Sequence, residues 1–123
     1  MNKKFRLKKS ADFQRVRRFG KAIAHPFVVL IFLPNTSDSI RVGVAAGKSI
    51  GNAVTRNRAK RILRTAAAAH LPQITPGYDL VLIARKPITN TKSTELVPVL
   101  LKLLQQARLI AQKDNDESGT YIN

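Results

Sequence analysis

No cysteine and no tryptophan occur among the 123 residues. The first absence removes disulfides, thiolate metal sites and thiol nucleophiles together. Acidic side chains are scarce, 7 against 22 Lys and Arg, for a formal charge of +15. Chemistry that needs paired or metal-binding carboxylates has little to draw on. Long apolar runs are missing as well. The longest, Phe27 to Leu33, has a strand's length, far below the roughly 20 residues of a membrane span. The opening Met-Asn-Lys-Lys-Phe-Arg-Leu-Lys-Lys is basic, but no apolar stretch follows it, so it does not read as a signal peptide.

What is present is a chain that is 44% hydrophobic. That is too apolar for a disordered basic tail and enough for one modest core. The expectation is a single small cytoplasmic domain with a polyanionic partner, most simply nucleic acid, and with neither a membrane nor a small-molecule substrate. The charge is unevenly placed. Residues 1–21 hold nine basic side chains against Asp12 alone. From Ser39 to Tyr78 there is no acid, while Arg41, Lys48, Arg56, Arg58, Lys60, Arg61 and Arg64 all fall there. A solubilising surface would mix both signs.

Periodicity and composition predict a flexible basic arm over 1–9, one folded domain over 10–111, nucleic-acid-binding by its charge, and a disordered polar tail over 112–123. Helix 1 is expected over 10–19, with Ser10 as N-cap and Gly20 as stop. Ala22 to Leu33 reads as a strand with an irregularity at His25-Pro26. The turn cluster Pro34 to Ser39 follows, then Ile40, Val42 and Val44 alternate as a second strand, so the two are expected to pair as a hairpin. Helix 2 is expected over 53–70, with Ala59, Ile62, Leu63, Ala66, Ala67 and His70 on one face. Tyr78 to Arg85 reads as a buried central strand. Helix 3 carries Leu100, Leu103 and Leu104, and Pro98 fits best in its first turn. The order implies one sheet with helices packed on it, and a crossover through helix 2 that is right-handed by default.

Within helix 2, Arg56, Lys60 and Arg64 line one flank, Asn57 and Arg61 oppose the apolar stripe, and Arg58 points off the other side. Such crowding costs like-charge repulsion that phosphates would relieve. Gly47-Lys48-Ser49 resembles half of a phosphate loop, but Val42 stands where the first glycine is required. His25 and His70 lie on different elements, and no carboxylate pair or metal spacing exists, so no catalytic residue and no metal ligand is expected in the protein. Phe13, among Arg15, Arg17 and Arg18, suits either a stacking platform for an unpaired base or the packing of helix 1 on the sheet.

The block Gly51-Asn-Ala-Val-Thr-Arg56-Asn57-Arg58-Ala-Lys60-Arg61-Ile-Leu-Arg64 resembles the Arg-Asn-Arg signature of the protein subunit of bacterial ribonuclease P. Arg6-Leu7-Lys8, Asp12-Phe13, Arg41-Val42-Gly43, Lys48 and Ala84-Arg85-Lys86 agree in order, so the resemblance runs from about residue 4 to 111. It implies an α/β (α+β) two-layer sandwich like ribosomal protein S5 domain 2, of order αβββαβα, with a left-handed crossover against the default. It also implies an RNA subunit that removes the 5′ leader of precursor tRNA in a Mg²⁺-dependent reaction, the Mg²⁺ being held mainly by that RNA. Arg56, Asn57, Arg58, Lys60, Arg61 and Arg64 match the region that binds the catalytic RNA. Phe13, Arg17, Ile31, Lys48, Lys60, Arg64, Arg85 and Lys86 match the leader groove. Arg17 stands where relatives often have a second aromatic and Ile31 where some have Tyr, which implies less stacking and more affinity from charge. A ribosomal or other structural RNA binder and a DNA-binding architectural protein fit the charge too. The Arg56–Arg64 block favours the first reading, and no helix-turn-helix pattern supports the last.

Overall fold

Strand β4 (Tyr78–Ala84) lies inside the sheet, antiparallel to β2 (Val28–Pro34) on one side and parallel to β3 (Arg41–Ala45) on the other. The outer edge of β2 carries β1 (Lys21–Ala24), giving the order β1-β2-β4-β3. Helices α1 (Ser10–Phe19), α2 (Ala53–Ala68) and α3 (Ser93–Gln106) complete the expected αβββαβα sandwich. This computed structural model describes residues 1–111; the tail expected over 112–123 lies outside the described residues.

The apolar run of β4 is continuous because both of its faces are covered. Leu80, Leu82 and Ala84 face α2 and α3 together with Val28, Leu30, Val42 and Val44. Val81 turns the other way and meets Val16 of α1, Ile31 and Leu7.

The expected hairpin between the 22–33 and 40–44 strands is not formed. Residues 21–34 fold on themselves instead, closed by mutual backbone bonds between His25 and Val28 of 2.9 and 3.2 Å. β3 lies beyond β4, and the linker is tied across the start of β4: Asn35 N donates to Gly77 O and Gly77 N donates to Ser39 O. Left at an edge, so apolar a strand would keep one row of backbone groups unpaired, whereas insertion pairs both rows.

The edge of β3 is covered in turn. The 1–9 segment, expected to be a flexible arm, forms a 3-10 turn at Lys3–Phe5. Arg6 then bridges to Val42, and Leu7 donates its N–H to Val42 O at 2.9 Å and is buried. One leucine between cations supplies the apolar anchor.

Local chemistry sets the helix ends. Lys9, not Ser10, is the N-cap of α1 and makes no side-chain cap bond. Gly20 ends α1 in an extended conformation (φ −78°), so space and not left-handed backbone requires it. A Cβ there would lie 2.6 Å from Val16 O and 2.8 Å from Ile31 Cγ2. Asn52 caps α2 by accepting from Thr55 N at 2.9 Å. Pro98 sits inside α3, in its second turn and not its first, so the Thr94 carbonyl has no N–H at that position to accept from. His70 is buried as a packed residue, its Nε2 2.8 Å from Val97 O.

Candidate nucleic-acid interface

The N-terminal segment, α1, β3 and α2 enclose a cleft of about 280 Å³ lined by Arg6, Leu7, Lys8, Phe13, Val42, Gly43, Val44 and Arg64. Phe13 forms its aromatic wall and is half-buried, because its inner edge packs beside Leu7, Val16 and Val81. The packing of helix 1 on the sheet, one of the two roles its sequence position suits, is thus formed, and the rest of the ring faces the cleft. Its ring rests on Gly43, where a Cβ would stand 2.4 Å from Phe13 Cζ.

No carboxylate lines the cleft. Arg6 Nε is buried and finds no hydrogen-bond acceptor among the described residues. Arg64 has its pKa lowered from the ordinary arginine value, by burial first and then by the charge of Arg6. Two guanidiniums are thus held together without a counter-charge, beside an aromatic ring. The arrangement fits a flexible strand that offers phosphates and unstacked bases.

Helical geometry sorts the cations of α2. Arg56, Lys60 and Arg64 repeat every four residues along the flank that reaches the cleft. Arg58 and Arg61 occupy the flank towards α3, and the exposed Asn57 lies between the two. Arg56 Nη1 donates to Gly51 O at 2.9 Å, which closes the turn leading into α2. Arg58 forks onto the carbonyls of Thr89 and Thr91 at 2.9 and 3.2 Å.

Lys48, Arg85 and Lys86 are exposed beyond the C-terminal ends of the parallel strands β3 and β4, where the Lys48–Ile50 and Lys86–Asn90 turns pack together. Arg17 is exposed one helical turn beyond Phe13. Ile31 is not on this surface: it is buried beneath α1 against Val16 and Val81.

Sequence reasoning missed two parts of the site. Arg6 and Lys8 belong to the cleft, and the signal for this was the apolar Leu7 between them. The other part is the support under the cleft. The carboxylate of Asp79 is fully buried and takes a fork from Arg41 at 2.9 and 2.8 Å, a bond from Arg15 and one from Asn35 at 2.9 Å. Burial works against its charge, but the bonds from Arg41, Arg15 and Asn35 outweigh burial and hold the carboxyl below the usual carboxylate range. The same bonds raise the pKa of Arg15 and of Arg41. Arg15 and Arg41 thereby tie α1 to the sheet.

No group of three His, Cys, Asp or Glu placed to hold a metal ion occurs among the described residues. No helix there is long and apolar enough to cross a membrane. Fold and surface together define a cationic α/β module whose acid-free cleft has the charge and aromatic wall suited to a polyanionic strand.

The comparisons with known proteins agree. The family model described as Ribonuclease P matches residues 1–108. The ribonuclease P protein component of Listeria welshimeri is 41% identical over 117 residues, which cover 94% of this chain and 98% of the relative. That of Pelotomaculum thermopropionicum is 40% identical over 84% and 92% of the two chains. Among solved structures, the Staphylococcus aureus RNase P protein superposes with a TM-score of 0.77 at 32% identity, covering 87% of this chain and 98% of that one. The Thermotoga maritima protein does so with 0.73 at 28%, covering 82% and 96%. The chain belongs to the ribonuclease P protein family.

Proposed function

We propose that the chain serves ribonuclease P through surfaces divided between the two flanks of α2. It is the protein subunit of that ribonucleoprotein, in which the RNA subunit carries out the Mg²⁺-dependent removal of the 5′ leader from precursor tRNA. The cleft and the strand ends beside it take the leader, through Phe13, Lys48, Lys60, Arg64, Arg85 and Lys86, with Arg17 at the rim and with Arg6 and Lys8 added. Arg56, Asn57, Arg58 and Arg61 face the catalytic RNA.

One observation carries the leader assignment: the buried, unpaired Nε of Arg6 beside Arg64 in a cleft without acids. A phosphodiester oxygen is the missing acceptor, and its charge relieves the repulsion between the two arginines. Phe13 supplies a face on which an adjacent base stacks. Guanidinium and ammonium groups line the cleft where Mg²⁺ would need oxygen ligands, so these residues do not fit the ion. Mg²⁺ belongs with the RNA. The work of the protein is to hold the leader in register and to offset phosphate charge. Its place is the cytoplasm, with the tRNA precursors.

The test is precursor-tRNA cleavage at low Mg²⁺ by bacterial ribonuclease P RNA alone, by the protein alone and by both. Cleavage at the mature 5′ end in the mixture only is the expected result. Tight RNA binding without stimulation would overturn the reading in favour of a structural RNA binder, and cleavage by the protein alone would place chemistry in the chain.

A further inference from the structure

On the α3 side of the sheet, the turn between β1 and β2 borders a groove of about 380 Å³. Ala24 and His25 line it from the turn, and Pro98, Val99, Lys102 and Leu103 line it from the helix. No acidic side chain reaches it. Lys102 is exposed and has no ion-pair partner among the described residues. His25 is set up as a donor. Phe27 N donates to its Nδ1 at 3.0 Å, so the hydrogen of the neutral ring sits on Nε2. That Nε2 finds no hydrogen-bond partner among the described residues. Phe27 also props the imidazole, with the two ring centroids 5.3 Å apart. One ammonium and one N–H donor thus stand beside an apolar wall of Pro98, Val99 and Leu103.

The groove continues the surface assigned to the leader. Val28 of β2 pairs with Ala84 of β4, so the β1–β2 turn lies at the same end of the sheet as Arg85. Arg85 N donates to Phe27 O at 3.0 Å, and Arg85 Nη1 donates to His25 O at 3.4 Å. Phe13 rests on Gly43 of β3, at one edge of the sheet, and His25 follows β1, at the other. Three strand spacings, about 14 Å, separate those edges. A single strand that leaves Phe13 and crosses Arg85 therefore arrives at His25 within a few nucleotides.

We propose that the groove between the β1–β2 turn and α3 is a distal nucleotide site for the precursor's leader, in which His25 Nε2 and Lys102 hold a phosphodiester and the wall of Pro98, Val99 and Leu103 receives a base. The inference rests on the leader reading above and carries the leader's path to the opposite layer of the sandwich. An apolar wall with few charges suits a splayed single strand, whereas a folded RNA presents its backbone and calls for more cations. Leader length then sets affinity, because nucleotides beyond Arg85 make contacts that a short leader lacks.

The test uses the full chain with ribonuclease P RNA and two precursor tRNAs. One leader is trimmed to reach Phe13 but not His25, and the other is long enough to pass the β1–β2 turn. The wild-type holoenzyme should bind the long leader more tightly. Lys102→Glu changes an exposed side chain and should weaken the long-leader complex by about fivefold or more while leaving the short-leader complex unchanged. The salt dependence of the long-leader complex should flatten by about one phosphate contact. His25→Ala should act in the same direction, and Lys102→Glu keeps the test valid if loss of the Nδ1 acceptor disturbs the turn. Equal affinity of Lys102→Glu and wild type for the long leader would overturn the site. So would an equal loss on both leaders, and so would weakened assembly with the catalytic RNA while the leader-length effect persists. Failure of the wild-type chain to stimulate cleavage of either precursor would overturn the functional reading itself, a result distinct from these.

Discussion

Phe13 and Gly43 are complementary to within a single carbon atom: the ring occupies the space that a side chain on β3 would fill, 2.4 Å from Phe13 Cζ. The glycine is a condition for the aromatic wall of the cleft. Gly43→Ala should therefore displace the ring, lower stability by about 1–3 kcal/mol through overpacking, and reduce the holoenzyme's preference for precursor over mature tRNA. Denaturant unfolding and tRNA affinities measured side by side check this. Stability lost with preference intact would make Phe13 purely a packing residue.

Arg6 offers a change of opposite signs. Arg6→Met removes a charge that sits beside Arg64 with its Nε unpaired. An unsatisfied buried donor costs about 1–3 kcal/mol, so the free protein should unfold at a higher temperature in low salt, while precursor tRNA binds more weakly. Thermal melts in a buffer without multivalent anions, paired with tRNA titrations, read both signs.

Asp79 is the buried counter-charge for two arginines. Asp79→Asn should cost about 3 kcal/mol, the lower end for breaking a buried ion pair, because Arg15 and Arg41 keep some access to water. The effect depends on pH. The carboxyl titrates lower in the folded chain than its ordinary value of 3.8, so its contribution is complete above that value and is lost as pH falls towards the depressed one. Acid titration of unfolding should show this loss in the wild type and a flatter profile in the variant.

Arg58 and Arg56 should separate. Arg58→Ala leaves the Thr89 and Thr91 carbonyls without their donor, so a stability loss of about 1 kcal/mol should accompany weaker assembly. Arg56→Ala removes one bond to the exposed turn at Gly51 and should weaken assembly with a smaller change in unfolding. Unaltered assembly in both would remove the signature from the docking surface.

The parts of this molecule written in local patterns could be read directly. The apolar stripe from Ala59 to Ala67 and the cations every four residues on α2 follow from helical period alone. The continuous run of β4 announces a strand buried on both faces. Pairings between distant segments could not be read in this way. Nothing near Ile40 indicates that β4 enters between β2 and β3, and nothing near Asp79 names Arg15, Arg41 and Asn35 as its partners. The misplacement of Ile31 has a similar origin. In a sheet covered on both sides, alternation identifies two faces but not which of them α1 conceals, and Ile31 lies under the helix while Gly43 lies under the open ring.

The insertion of β4 also governs the order in which the molecule can be built. Synthesis delivers β1, β2 and β3 first, yet β2 and β3 share no backbone bonds and meet only through a strand made some 30 residues later. Until Tyr78–Ala84 leaves the ribosome, β3 has no strand to join it to the β1–β2 hairpin, and the cleft between the arginines at positions 6 and 64 lacks the sheet that supports it. A fragment ending at residue 77 should stay unfolded by hydrogen exchange. Completion of the sheet is therefore a late event in synthesis, and a chain cut short before β4 should not bind RNA as the whole domain does.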